Sequence, residues 1–185
     1  MSLHVIGIAG SLRAGSLNRA LLAAAVELAP PGVTLEVADL RPIPLYDGDL
    51  EAAGVPTEVA DLKARVRGAG ALLIATPEYN GSVPGVLKNA LDWLSRGPDS
   101  ALAGKPAAMM GASPGGFGTV RAQQQLRVVA SGTNLLLLQR PELMVASAAE
   151  KFDAAGRLTD EGVRKKLAAL LVALANWARV LGTPA

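Results

Sequence analysis

The chain has 185 residues, half of them hydrophobic and 18% charged, with a mean hydropathy of +0.31; this composition excludes a disordered polymer and predicts one well-buried domain over 1–185. With no cysteine and one histidine, His4, disulfide scaffolds, thiolate sites and multi-histidine zinc centres are excluded, and no metal site is expected. The net charge is +2 and the 18 basic residues are interspersed with 16 acids, which argues against a nucleic-acid partner.

In chain order, the first ten residues lack a basic leader region, so no signal peptide is read and a cytoplasmic location is expected. Leu3–Ala9 (LHVIGIA) is a short apolar run ended by Gly10 and predicts a strand buried on both faces. Leu17, Leu21, Ala24, Ala25 and Leu28 recur at helical spacing, predicting a helix over 17–29 that Pro30-Pro31-Gly32 stops. Strands are predicted at 33–38, 71–75, 106–111 and 134–138, and helices at 57–67, 84–95, 119–130 and 159–181. In the last helix Asp160 and Glu161 occupy the first turn, where the macrodipole favours acids. Its apolar stretch, Leu167 to Ala178, contains Asn176 and falls short of the ~18 residues that a membrane span needs. No membrane association is expected.

Strands alternating with helices predict an α/β, doubly wound, five-stranded parallel sheet with helices on both faces. Between the second strand and second helix runs a long loop, 41–56, carrying Ile43, Leu45, Tyr46, Leu50 and Val55. These side chains want cover, which either their own domain or a second subunit can provide.

In such sheets ligands sit beyond the carboxyl ends of the strands, so the loops after strands one, three and four are the candidate site. The first, Gly10 to Asn18, has the glycine spacing of a P-loop but carries Ser16 and Leu17 where Lys and a hydroxyl residue would stand. Triphosphate chemistry fails there, whereas a terminal monophosphate suits Ser11, Arg13, Ser16 and Asn18 together with free N–H groups at a helix start. Alternatively Ser16 or Asn18 caps the helix and Gly15 serves a turn. In the second loop, Tyr79 stands in a Gly- and Asn-rich turn, either to contact a planar ligand or to cover the end of its sheet. The third, Gly111-Ala112-Ser113-Pro114-Gly115, matches a nucleophile elbow, yet the only histidine lies at the start of the first strand, so a serine-hydrolase triad cannot form. No Gly-x-Gly-x-x-Gly occurs in the chain, which leaves a dinucleotide fingerprint unsupported.

These residues resemble the NADPH-dependent FMN reductase family, which includes quinone and chromate reductases of flavodoxin-like fold. The likeness covers nearly the whole chain. It is carried by Gly-Ser-Leu-Arg-x-Gly-Ser-x-Asn at 10–18, by 76–80 with Gly81-Ser82-Val83-Pro84-Gly85 and Leu87 to Trp93 following, and by Ser113-Pro114-Gly115-Gly116. The resemblance implies an FMN phosphate on Ser11, Arg13, Ser16 and Asn18. It implies a flavin ring against Pro77, Glu78, Tyr79, Asn80 and Gly81 and against Ser113, Pro114, Gly115 and Gly116. Ala14 departs from a commonly basic position and Leu17 from a commonly aromatic one, so the choice between NADPH and NADH as co-substrate stays open.

The implied activity is ping-pong transfer of hydride from a reduced nicotinamide through FMN to a small-molecule acceptor such as a quinone, free flavin, azo dye or chromate, with no catalytic side chain required. A homodimer or homotetramer is also implied, with loop 41–56 suited to border the flavin of a neighbour. The rival is an electron-carrier flavodoxin. Such carriers are typically strongly acidic and sandwich their flavin between aromatics, whereas this chain has a pI of about 9.2 and six aromatic residues in all.

Overall fold

The computed structural model describes residues 2–182. Along the chain run β1 (Leu3–Ala9), α1 (Leu17–Glu27), β2 (Val33–Ala38), α2 (Gly48–Ala53), α3 (Thr57–Gly68), β3 (Ala71–Ala75), α4 (Gly85–Ser95), β4 (Pro106–Ala112), α5 (Val120–Gly132), β5 (Leu136–Leu137), β6 (Leu143–Val145) and α6 (Glu161–Val180). All strand pairings are parallel, in the order β2-β1-β3-β4-β5 with β6 also on β4. This is the flavodoxin-like order, and its reversal point lies between β1 and β3.

Both faces of the sheet are covered, which is why its central strands are continuous apolar runs. On one face Val5, Leu73 and Met110 meet Leu21 and Leu22 of α1 and Leu167, Leu170 and Leu174 of α6. On the other, Ile6, Ile8, Leu72 and Ile74 meet Leu62 and Val66 of α3, Leu87 and Leu91 of α4 and Leu126 of α5. Caps fix where helices begin. The Ser16 Oγ accepts from the N–H of Arg19, and Asp160 accepts from the N–H of Val163, each satisfying a donor of the first turn.

Two elements differ from the sequence expectation. The expected fifth strand, 134–138, is reduced to Leu136–Leu137 against the first half of β4, and β6 takes the same sheet position against the second half. Residues 138–142, including a cis Arg140-Pro141 bond, divide the two segments. The expected loop 41–56 contains the short helix α2, capped by Asp47, whose carboxylate accepts from the N–H of Asp49.

The large side chains of that loop divide between those packed on their own domain and those left at the surface. Ile43 packs into the core beneath α3 and α4. Tyr46 meets Trp93 edge to face at 4.9 Å, and its N–H donates to Asn89 Oδ1 at 2.7 Å. The Trp93 indole and the Asn89 amide both donate to the Pro44 carbonyl, at 2.9 and 2.8 Å. Leu45, by contrast, stands 81% exposed, with Leu50 and Val55 also at the surface.

Candidate functional site

Three loops converge beyond β1, β3 and β4. At the end of β1, a Cβ on Gly10 would lie 3.0 to 3.2 Å from Pro84, Pro77 and Leu87, so the absence of a side chain there lets the first loop sit directly against the second. Ser11 and Ser16 are buried, whereas Arg13 reaches outward. The helical cap on Ser16 occupies a lone pair of its hydroxyl and leaves the O–H free to donate. Asn18 is only 3% exposed. Its Nδ2 donates to the Ala112 carbonyl and its Oδ1 accepts from the Ala112 N–H, both at 2.9 Å. Most of this amide's capacity is therefore spent on β4, and one N–H remains for a ligand. The amides of Leu17 and Asn18 stand in the first helical turn, where no intrahelical acceptor precedes them.

The second loop begins at buried Thr76, whose N–H donates to Met110. Tyr79 and Ser82 exchange backbone hydrogen bonds of 3.2 and 3.1 Å around Asn80 and Gly81, which have φ of 51° and 73°. Two consecutive left-handed residues make a tight hairpin turn, for which Asn-Gly is the favoured pair. This turn presents the Tyr79 ring, 47% exposed, with its hydroxyl 3.5 Å from Ser11 Oγ. Glu78 turns the other way. Its carboxylate accepts from the N–H groups of Arg121 and Ala122 at 2.9 and 3.2 Å and pairs with the Arg121 guanidinium at 3.0 Å, capping α5 from outside.

The third loop is held from behind. Ser113 donates its N–H to Val145 and accepts from Ala148, while Gly115 accepts from Ser147. Ser113 Oγ accepts from the Gly115 N–H at 3.1 Å. Beyond it Phe117 lies under the Arg121 guanidinium, 4.6 Å from its ring centre. His4 is remote from this loop, at the amino end of β1, with Nε2 3.1 Å from Glu36. The serine of the elbow sequence has no imidazole beside it.

The loops enclose a cavity of about 510 Å³, within the usual range for small-molecule sites. Its walls include Ser11, Arg13, Ser16 and Asn18 from the first loop, Pro77, Glu78 and Tyr79 from the second, and Ser113 from the third. Asn80, Gly81, Gly115 and Gly116 stand outside these walls, in the turns that carry them. Pro114, within the expected stretch 113–116, also lines the cavity, as do Gly15, Leu17 and Ala112, which sequence reasoning did not single out as ligand contacts. Their only signal is adjacency to polar residues of the same loops.

FMN fits this donor set. Two hydroxyls, one guanidinium and the first amides of α1 converge where a phosphate would bind. Around the rest of the cavity, Pro77, Glu78 and Tyr79 of the second loop and Ser113 and Pro114 of the third offer walls for a flat ring.

The comparisons agree. Residues 3–150 match the family model described as NADPH-dependent FMN reductase. The chain is 50% identical over 179 residues to an NAD(P)H-dependent FMN reductase of Pseudomonas aeruginosa, covering 97% of each chain. It is 39% identical over 180 residues to a 2-hydroxy-1,4-benzoquinone reductase of a Burkholderia species, covering 97% of this chain and 98% of that one. Among solved structures, a flavoenzyme NAD(P)H:(acceptor) oxidoreductase from Paracoccus denitrificans superposes with a TM-score of 0.88 at 35% identity, covering 96% and 98% of the two chains.

Proposed function

We propose, from the premise that this chain belongs to the NADPH-dependent FMN reductase family, that its three-loop cavity is the FMN site and that a quinone is its electron acceptor. The enzyme is an FMN-dependent NAD(P)H oxidoreductase. Bound FMN supplies the two-electron relay, so that NAD(P)H, a proton and a quinone become NAD(P)⁺ and a hydroquinone.

The protein's part is binding and orientation. Arg13, the hydroxyls of Ser11 and Ser16 and the amides opening α1 hold the phosphate, each charged hydrogen bond contributing about 1.5 to 3 kcal/mol. Pro77, Glu78 and Tyr79 of the second loop and Ser113 and Pro114 of the third flank the ring, and Tyr79 covers the Ser11 side of the cavity. Asn18 acts mainly by holding β4 against α1. The observation that carries this reading is that the anion cradle of the first loop, which lacks a P-loop lysine, shares one cavity with Pro77, Glu78 and Tyr79 of the second loop and Ser113 and Pro114 of the third.

Residues 1–185 are read as one FMN-binding domain working in the cytoplasm as a homodimer or homotetramer. Supporting the assembly, Leu45, Leu50 and Val55 remain at the surface of the loop beside α4. No helix among the described residues is long and apolar enough to cross a membrane. A quinone as acceptor is supported by the benzoquinone reductase among the relatives.

Steady-state reduction of 1,4-benzoquinone by NADPH tests the proposal. Parallel double-reciprocal lines and a rate that follows FMN content are expected. Absence of quinone reduction by FMN-replete protein would reject the acceptor assignment.

A further inference from the structure

Beside the main cavity, and sharing Ser11 with it, lies a smaller cleft of about 230 Å³ between the carboxyl ends of β1 and β2 and the first turn of α1. Its volume falls below the ~300 Å³ at which self-sufficient ligand pockets begin. It suits one end of a longer molecule whose other end lies against a ligand held in the adjoining cavity.

The chemistry of the cleft is specific. Leu12 and Val37, each 44% exposed, are apolar side chains at its opening. Arg41 and Asp39 form a closed pair. Asp39 Oδ1 accepts from the backbone N–H of Arg41 and from Nε at 3.1 and 3.0 Å, and Oδ2 accepts from Nε and Nη2 at 2.8 and 2.6 Å. The acidic residue of the cleft is thus neutralised. Arg41 also holds the Asp39 carboxyl below its ordinary range, with Arg19 adding to the effect from a distance. Half-buried Arg19 lines the cleft, and among the described residues it takes part in no ion pair. The cleft therefore combines two apolar flanks, one neutralised pair and one uncommitted guanidinium.

We propose that this cleft receives the adenylate end of the nicotinamide co-substrate, with the base between Leu12 and Val37 and the 2′-phosphate on Arg19, so that NADPH is preferred over NADH. Arg19 is a better candidate than Arg13 for discriminating the two donors, because Arg13 belongs to the cavity assigned to FMN. The inference rests on the reading of the chain as a nicotinamide oxidoreductase.

The test uses the FMN-loaded protein, saturating quinone and three donors: NADPH, NADH and reduced nicotinamide mononucleotide, which has no adenylate. Arg19→Ala lies on a helix that favours alanine, so folding and FMN absorbance should persist. Loss of a charged hydrogen bond should raise KM for NADPH about tenfold or more, and KM for NADH by less than about threefold. KM for the mononucleotide should not move, and Arg19→Lys should restore most of the NADPH loss. A KM for NADPH within about threefold of the parent value, or an equal rise with NADPH and NADH, overturns the assignment. A parent protein that oxidises none of the three donors rejects the oxidoreductase reading before any substitution is made, and the cleft assignment falls with it.

Discussion

The Asn18 side-chain amide holds both backbone polar groups of Ala112, each at 2.9 Å, and so ties the start of α1 to the end of β4 across 94 positions of sequence. Replacing it with alanine strands two buried backbone groups, at about 1 to 3 kcal/mol each. Asn18→Ala should therefore lower the stability of the FMN-free protein by about 2 to 6 kcal/mol in urea denaturation. Asn18→Asp should fail similarly, since a carboxylate oxygen would face the Ala112 carbonyl. Unchanged stability with weakened FMN binding would instead make Asn18 principally a phosphate ligand.

Arg13 lies on the surface side of the first loop and lines the cavity without filling core volume. Arg13→Ala should cost about 1.5 to 3 kcal/mol in FMN affinity, with the thermal midpoint of the FMN-free protein unmoved. Fluorescence titration with FMN measures the first and calorimetry the second. Parent-like affinity would remove the phosphate from this loop.

Acid should loosen the α6 cap. Asp160 is held below its ordinary value of 3.8, first by Lys151, 2.7 Å from Oδ2, and then by the Val163 N–H on Oδ1. A depressed folded value means that the unfolded chain takes up the proton first as pH falls. The contribution is whole above about 3.8 and disappears as the pH drops through the folded value. Asp160→Asn keeps an acceptor for the cap and removes the charge, so its stability should decline less steeply with acid than the parent's. Urea midpoints between neutral pH and about pH 3 give both slopes. Identical slopes would show that the pair does not contribute.

Assembly is best tested at Leu45, because Tyr46 is committed to Trp93 and Asn89 of its own chain. Leu45→Asp should shift the protein toward monomer in light scattering and leave helix content unchanged, whereas Tyr46→Asp should damage the domain itself. A parent protein that runs as a fully active species of 18.9 kDa at micromolar concentration would refute the assembly.

The central strands were legible because a parallel sheet covered on both faces demands nearly continuous apolar runs, and residues 5–9 of β1 and Ala71–Ala75 are such runs. Strand β6 was not: three residues after Pro141 carry no periodicity of their own and are specified by pairing with β4. The helix at 48–53 left a signal in Asp47 followed by Asp49 and Glu51, a capped and acid-rich first turn too short to register against the surrounding loop. At the site, the polar and glycine-rich loops were visible as composition. The commitments of Asn18 to Ala112 and of Glu78 to Arg121 were not, since each partner stands far along the chain and is chosen by the fold.

The most direct test of the FMN assignment is an anaerobic titration of the purified protein with NADPH, followed by heat release and chromatography of its cofactor. The account predicts a yellow protein that bleaches with NADPH alone, without a partner protein, and that releases FMN. A protein that stays yellow, or that yields FAD or no flavin after reconstitution, would contradict it.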